Sequence, residues 1–167
     1  LYFIPYFGIS AEIEKEFNLN IHHNLNNNEI SLLFDLKIPR DWHIYWENPG
    51  QFGIPTIFKF KNKIFSKGKT YYLKPTSFYT GDYIFYGFKN KTMFLFKSRY
   101  ENNIKSIDGK INWLACKEIC IPGSTSFSYI VTEKISPDFN KYYKNFEKAA
   151  IFDENKVTTQ HIINNNL

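Results

Sequence analysis

Ile30-Ser31-Leu32-Leu33-Phe34-Asp35-Leu36-Lys37-Ile38-Pro39 decides the fold. Its even positions are Ile30, Leu32, Phe34, Leu36 and Ile38, while the odd ones include Ser31, Asp35 and Lys37. Successive side chains of a strand point to opposite sides of a sheet, so this alternation marks a strand with one buried face. Pro39 has no N–H to give to a ladder and ends it. Upstream, Phe17, Leu19, Ile21 and Leu25 share a face with His23 among them. Asn26-Asn27-Asn28 supplies turn residues between the two segments, and together they read as a hairpin.

The same period continues along the chain. Further strands are expected at Trp42–Trp46, Thr56–Lys61, Thr70–Leu73, Thr92–Tyr100, Lys110–Leu114 and Thr125–Glu133. Turn signals separate them: Asn48-Pro49-Gly50, Lys67-Gly68, Gly81-Asp82, Asp108-Gly109 and Pro122-Gly123. Many short strands with regular turns imply an all-β sandwich. One helix is expected near the end, with Ser136 as N-cap, Pro137 at the first helical position, and Phe139, Tyr142, Tyr143 and Phe146 on one face. The chain divides into an N-terminal extension (1–15), one domain (16–152), and a polar tail or linker (153–167). No internal repeat is visible.

The composition excludes several classes. A chain of 167 residues with 43% hydrophobic and 19% aromatic residues is long and apolar enough to form one packed domain, not a disordered segment. The net charge is +5, carried almost wholly by scattered lysines, with arginine only at Arg40 and Arg99. Nucleic-acid readers cluster their positive charge and rely on arginine forks, so no nucleic-acid partner is expected. No apolar run approaches the roughly 20 residues that cross a bilayer. The opening Leu1-Tyr2-Phe3-Ile4-Pro5-Tyr6-Phe7 is apolar but lacks the basic start and cleavage site of a signal peptide.

Chemistry concentrates at Trp113-Leu114-Ala115-Cys116-Lys117-Glu118-Ile119-Cys120-Ile121-Pro122-Gly123, which holds both cysteines of the chain. The pair is expected in a tight loop or turn between two strands, since an extended strand would hold the two Cα atoms roughly 13 Å apart, beyond disulfide reach. A bond closing five residues stabilises the fold by only about 2 kcal/mol in the chain-entropy account. Small stabilisation and easy reduction suit electron exchange. One cysteine then attacks a partner's sulfur as a thiolate, and the other resolves the mixed disulfide. Lys117 favours a thiolate and Glu118 opposes it. A structural disulfide, two inert buried thiols, and a metal site completed by His22, His23, His43 or His161 remain open from spacing alone, although the spacing fits no common zinc pattern.

Asp41-Trp42-His43-Ile44-Tyr45-Trp46-Glu47-Asn48-Pro49-Gly50-Gln51-Phe52-Gly53-Ile54-Pro55 resembles a signature of the DsbD-type N-terminal domain family, in particular its ScsB-like branch. The cysteine segment resembles the same family, and Tyr72-Leu73-Lys74-Pro75 and Phe85-Tyr86-Gly87 follow in the expected order between them. The resemblance runs from about Phe17 to the terminal helix. It implies an immunoglobulin-like β-sandwich with a short C-terminal helix, located in the bacterial periplasm and working without a bound cofactor. It also implies a membrane-embedded electron donor, and a periplasmic disulfide isomerase or other thiol protein as acceptor. By position, Cys120 is the nucleophile and Cys116 its partner. Phe85, with Tyr86, resembles the cap loop that shields the pair, and Asp82 approximates an acidic residue beside it. DsbD itself spaces its cysteines more widely. The chain has no membrane segment and no Cys-x-x-Cys module, so it is expected to be a piece of a larger protein, tethered to the inner membrane, or to take electrons from a separate chain.

The remaining signature residues have structural and functional accounts. Trp42, Tyr45 and Trp46 suit core packing or an aromatic wall near the cysteines. His43 suits a hydrogen-bonded structural role or tuning of the thiol, and His23 a structural one. A non-catalytic immunoglobulin-like module that binds a partner and carries a structural disulfide is the alternative from another class, and a metal-resistance accessory domain is the third.

Overall fold

The computed structural model describes residues 6–149. The expected tail at 153–167, His161 and the start of the apolar opening lie outside the described residues. Two sheets form the sandwich. The first has the order β1-β2-β8-β5, from Asn18–Asn26 (β1), Glu29–Lys37 (β2), Lys91–Arg99 (β8) and Lys69–Tyr72 (β5). The second has the order β10-β9-β3-β7-β6, from Cys120–Ile130 (β10), Ser106–Cys116 (β9), His43–Gly50 (β3), Tyr83–Lys89 (β7) and Thr76–Thr80 (β6). Ile57–Phe60 (β4) also pairs with β9. Every pairing is antiparallel. This is the immunoglobulin-like all-β fold implied by the sequence.

The stretch from Ile30 to Ile38 lies at the centre of the first sheet. Ile30, Leu32, Phe34, Leu36 and Ile38 are fully buried against the second sheet, with Phe94, Phe96, Ile111 and Trp113 in the same core. The other face of β2 is half covered as well. Leu33 packs with Leu95 against Phe139 and Phe146 of the C-terminal helix, Phe139–Ala149 (α2). A strand read as one-faced is therefore buried on both faces where α2 docks. Asp35 lies at the border of that contact and pairs with Lys91 at 3.0 Å.

The structure corrects four local expectations, besides placing the turn signals Asn48-Pro49-Gly50 and Asp108-Gly109 within β3 and β9. Ser136 does not cap α2; its hydroxyl accepts from the His23 N–H, and its own N–H donates to the His23 carbonyl. That ties the chain before the helix to β1. Pro122-Gly123 does not turn the chain out but lies inside β10, opposite Leu114 and Trp113. Proline is tolerated there because β10 ends its sheet and need not donate on both sides. A Cβ on Gly123 would meet the Trp113 ring at 2.4 Å, so glycine lets the indole lie flat against the strand. The segment read as a cap loop is mostly strand: Phe85, Tyr86 and Gly87 belong to β7, and Gly81-Asp82 turns β6 into it. The fourth difference is a helix over Tyr6–Glu16 (α1), where an extension was expected. Its Ile13 joins the core, and Glu14 accepts a hydrogen bond from the Ser124 N–H at 2.7 Å. Among the described residues, no helix is long and apolar enough to cross a membrane.

Candidate redox site

The two cysteines close a hairpin. Cys116 is the last residue of β9 and Cys120 the first of β10, and they face each other in the ladder. Their Cα atoms are 4.1 Å apart, near the narrow cross-strand spacing of about 4.5 Å in antiparallel sheets. A disulfide joins them across Lys117-Glu118-Ile119. This bears out the expected tight loop between strands and replaces the account of two free thiols. Within the loop, the Lys117 N–H donates to the Ile119 carbonyl.

The two sulfurs have unequal surroundings. Cys116 is 3% exposed, whereas Cys120 is exposed along with the loop. Cys116 forms a small cluster with Tyr45 and Phe85, backed by Phe78 and Leu114. The Tyr45 hydroxyl donates to Cys116 Sγ at 3.3 Å. Burial pushes the Tyr45 phenol up from its ordinary value, so it stays protonated and keeps that proton for the sulfur.

Strand alternation explains which signature residues reach the site. In β3, Ile44 points into the sandwich, and Trp42 and Trp46 also pack on the main core. His43 and Tyr45 point the other way, over the outer face, and His43 sits opposite Cys116 in the β3–β9 ladder. The His43 ring stacks on Phe78 at 5.0 Å and Phe85 at 5.4 Å. Burial lowers its pKa, with Lys89 adding to the effect, so the imidazole is neutral near pH 7. Its Nε2 is buried and has no hydrogen-bond partner. Of the expected site residues, Phe85, His43 and Tyr45 therefore converge on Cys116, and Trp42 and Trp46 do not. Tyr86 contacts Trp46 edge-on at 6.5 Å, and Asp82 is exposed at the β6–β7 turn.

Two contributors were not anticipated. Phe78, on β6, stacks on both Phe85 and His43. The alternation within Thr76-Ser77-Phe78-Tyr79-Thr80 before Gly81-Asp82 is the signal that marks it. Gly53 is the second: it has φ +110, and a Cβ there would meet the Tyr45 ring at 2.3 Å. The chain passes directly over the tyrosine, which only glycine permits. The other described histidines, His22 and His23, serve packing. His23 is buried between the Tyr129 hydroxyl and the Thr132 carbonyl, and His22 stacks on Tyr142. Lys117 pairs with Asp41 at 3.5 Å, but both are exposed, so the pair contributes little.

The fold and the site define an immunoglobulin-like β-sandwich that presents a disulfide at a hairpin end, with one sulfur exposed and the other buried under an aromatic cluster. The chain belongs to the family of N-terminal domains of the thiol:disulfide interchange protein DsbD, whose profile matches residues 11–132. Among solved structures, the N-terminal periplasmic domain of ScsB from Proteus mirabilis is similar, with a TM-score of 0.71 at 15% identity over 81% of this chain. The chain spans 54% of that domain. The reduced N-terminal domain of DsbD from Neisseria meningitidis gives a TM-score of 0.45 at 13% identity, over 71% of this chain and 88% of that one. No curated protein matches the sequence.

Proposed function

We propose that this domain is a protein-disulfide reductase module that relays electrons through Cys116 and Cys120 in the periplasm. Its donor is a membrane-embedded redox domain, either in the same longer chain tethered to the inner membrane or in a separate one. Its acceptor is a disulfide isomerase or another thiol protein. The observation that carries this reading is the asymmetry of the pair, with Cys120 exposed and Cys116 buried beneath Tyr45 and Phe85.

The chemistry follows from that asymmetry. A thiolate of the reduced donor attacks Cys120 Sγ, the S–S bond breaks, and Cys116 departs as a thiolate. The Tyr45 hydroxyl stabilises that anion until it takes up a proton. The donor's second thiol then displaces Cys120, leaving the donor oxidised and the domain reduced. In the second half, Cys120 attacks the acceptor's disulfide and Cys116 resolves the mixed species, which returns the domain to the oxidised form. Each half-reaction moves two electrons between sulfur pairs. Phe85 acts as the lid over the buried sulfur between encounters, with Tyr86 and Asp82 in the hairpin that carries it.

The reduction potential in glutathione or dithiothreitol buffers tests the reading. A value between about −270 and −120 mV, the span of known exchange proteins, is expected. A value well below about −300 mV would assign the bond to structure and favour the partner-binding module instead. Cys116→Ser, which leaves Cys120 unable to be resolved internally, is expected to accumulate mixed disulfides with thiol partners.

A further inference from the structure

Apart from β4, a four-residue strand that carries Lys59 and pairs with β9 alone, the outer strands of the two sheets are treated differently. β1 is covered by the returning chain, where Ser136 and His23 exchange hydrogen bonds. β10 packs beneath α1, whose Glu14 accepts from Ser124. β5 is only four residues long, begins at Lys69, and is followed by Lys74, whose N–H donates to the Ala149 carbonyl at the end of α2. β6 has no such cover among the described residues, and its ladder runs to β7 alone. Natural sheets guard such edges with charges, prolines or bulges. Pro75 guards only its start; Thr76-Ser77-Phe78-Tyr79-Thr80 itself contains none of these, and every residue but Phe78 is exposed, Tyr79 at 71%.

The register shows which backbone groups are open. Thr80 and Tyr83 flank the two-residue turn Gly81-Asp82, with Gly81 at φ +58, so they form the hydrogen-bonded pair that closes the turn. Antiparallel pairs alternate in type, so Tyr79 opposite Ile84 and Ser77 opposite Tyr86 are the unbonded pairs. Ile84 confirms this from the other side: its carbonyl accepts from the Gln51 N–H, and its N–H donates to Gln51 Oε1. The N–H and C=O groups of Ser77 and Tyr79 therefore point away from the sheet.

That free edge adjoins the disulfide loop. A groove has β6 as one wall and Lys117 and Glu118 of the cysteine loop as the other, with Phe85 and His43 between them. Four successive β6 residues line it, so its wall includes the backbone edge as well as one face.

We infer that β6 is the docking strand for the redox partner: an extended segment of the partner, adjoining its reactive cysteine, adds to Ser77–Tyr79 by main-chain hydrogen bonds and so delivers that cysteine to Cys120. The inference rests on the exchange reading above. Main-chain pairing tolerates varied sequences, so donor and acceptor can use the same edge in turn and exclude one another.

The test compares two reduced probes on the oxidised protein: glutathione, and a capped hexapeptide with one cysteine flanked by threonine and valine. The peptide is expected to react about ten-fold faster than glutathione, the worth of roughly one main-chain hydrogen bond. Tyr79→Pro and Ser77→Pro remove only an outward N–H, as proline on a strand edge can. Each is expected to bring the peptide down to the glutathione rate while leaving glutathione itself unchanged, and Tyr79→Ala, which keeps the N–H, is expected to retain the advantage. Equal rates for the two probes, or equal losses in Tyr79→Pro and Tyr79→Ala, overturn the inference. If glutathione fails to react at all, the exchange reading falls instead. The edge is then read in Cys116→Ser joined to the peptide through an activated disulfide. Slowed hydrogen exchange at the Ser77 and Tyr79 amides supports docking, and unslowed exchange overturns it. Concentration-dependent protection of those amides without peptide would give the edge to a second copy of the chain and also overturn it.

Discussion

The hydroxyl of Tyr45 donates to Cys116 Sγ across 71 residues of sequence, and the contact exists because β3 and β9 pair at His43–Cys116. A hydrogen bond to a sulfur that becomes an anion is stronger than one to a neutral disulfide. Tyr45→Phe is expected to raise the Cys116 pKa by about one unit, equivalent to about 1.4 kcal/mol, and to slow release of Cys116 about ten-fold. Titration of the reduced pair by thiolate absorbance at 240 nm checks it, and an unmoved pKa refutes the role given to Tyr45.

Phe85 is 7% exposed and packs on Tyr45 at 5.6 Å beside Cys116. Removing the ring opens a path to the buried sulfur. Phe85→Ala is expected to speed reduction by dithiothreitol several-fold and to destabilise the fold by about 3 kcal/mol, the low end for a buried ring lost from a small cluster. An unchanged reduction rate would remove Phe85 as a lid.

Gly53 holds Tyr45 in place by passing close over its ring. Gly53→Ala puts a methyl into that contact and into a left-handed backbone conformation. A loss of about 1–3 kcal/mol is expected. The urea midpoint reads the stability, and the dithiothreitol rate should change with it, because the displaced tyrosine no longer meets Cys116.

Burial holds His43 and His22 below the ordinary histidine value of 6.5, with Lys89 adding to the effect at His43 and Asp138 and Asp35 opposing it at His22. The unfolded chain therefore binds more protons than the folded one below pH 6.5. Their contribution to stability is complete above pH 6.5 and falls as pH drops from there toward the lowered folded values. Urea midpoints at pH 7.5 and 5.5 should show the decline, and the double variant His22→Gln, His43→Gln should flatten it. Glu47 is exposed, yet partial desolvation pushes its carboxyl up against the pull of Lys69, so its contribution runs the opposite way, present below pH 4.5 and lost as pH rises from there.

Much of the sandwich was legible because most strands carry the period-two pattern undiluted. Ile30–Ile38 is the best case and β8 follows within one residue, whereas β9 and β10 begin four and five residues before the expected Lys110 and Thr125, because Asp108-Gly109 and Pro122-Gly123 read as turns. The failures have physical causes. β6 and β7 bury residues against each other on the outer face, so Phe78 and Phe85 look like loop aromatics until the hairpin turn at Gly81-Asp82 is given weight. In α1, the described side chains place one residue, Ile13, in the core, too few to mark a helical face. Pro122-Gly123 has the composition of a turn, and only the edge position of β10 lets it be strand. At the site, spacing revealed the cysteine pair, but no local pattern could show that one sulfur is buried and the other exposed. That depends on the register of β3 against β9 and on the chain at Gly53.

The hairpin that carries the disulfide is closed by more than the disulfide. Residues Ser106–Cys116 and Cys120–Ile130 pair along their whole length, and Trp113 and Ile121 anchor both strands in the core. A five-residue ring adds only about 2 kcal/mol to such a ladder. On the proposed exchange reading, the ladder and its core anchors hold the scaffold whether or not the bond is closed, so cycling is expected to leave the architecture intact. The midpoint of the couple is then set by the few atoms around Cys116, so single substitutions at Tyr45 or Phe85 can retune it without unfolding the domain.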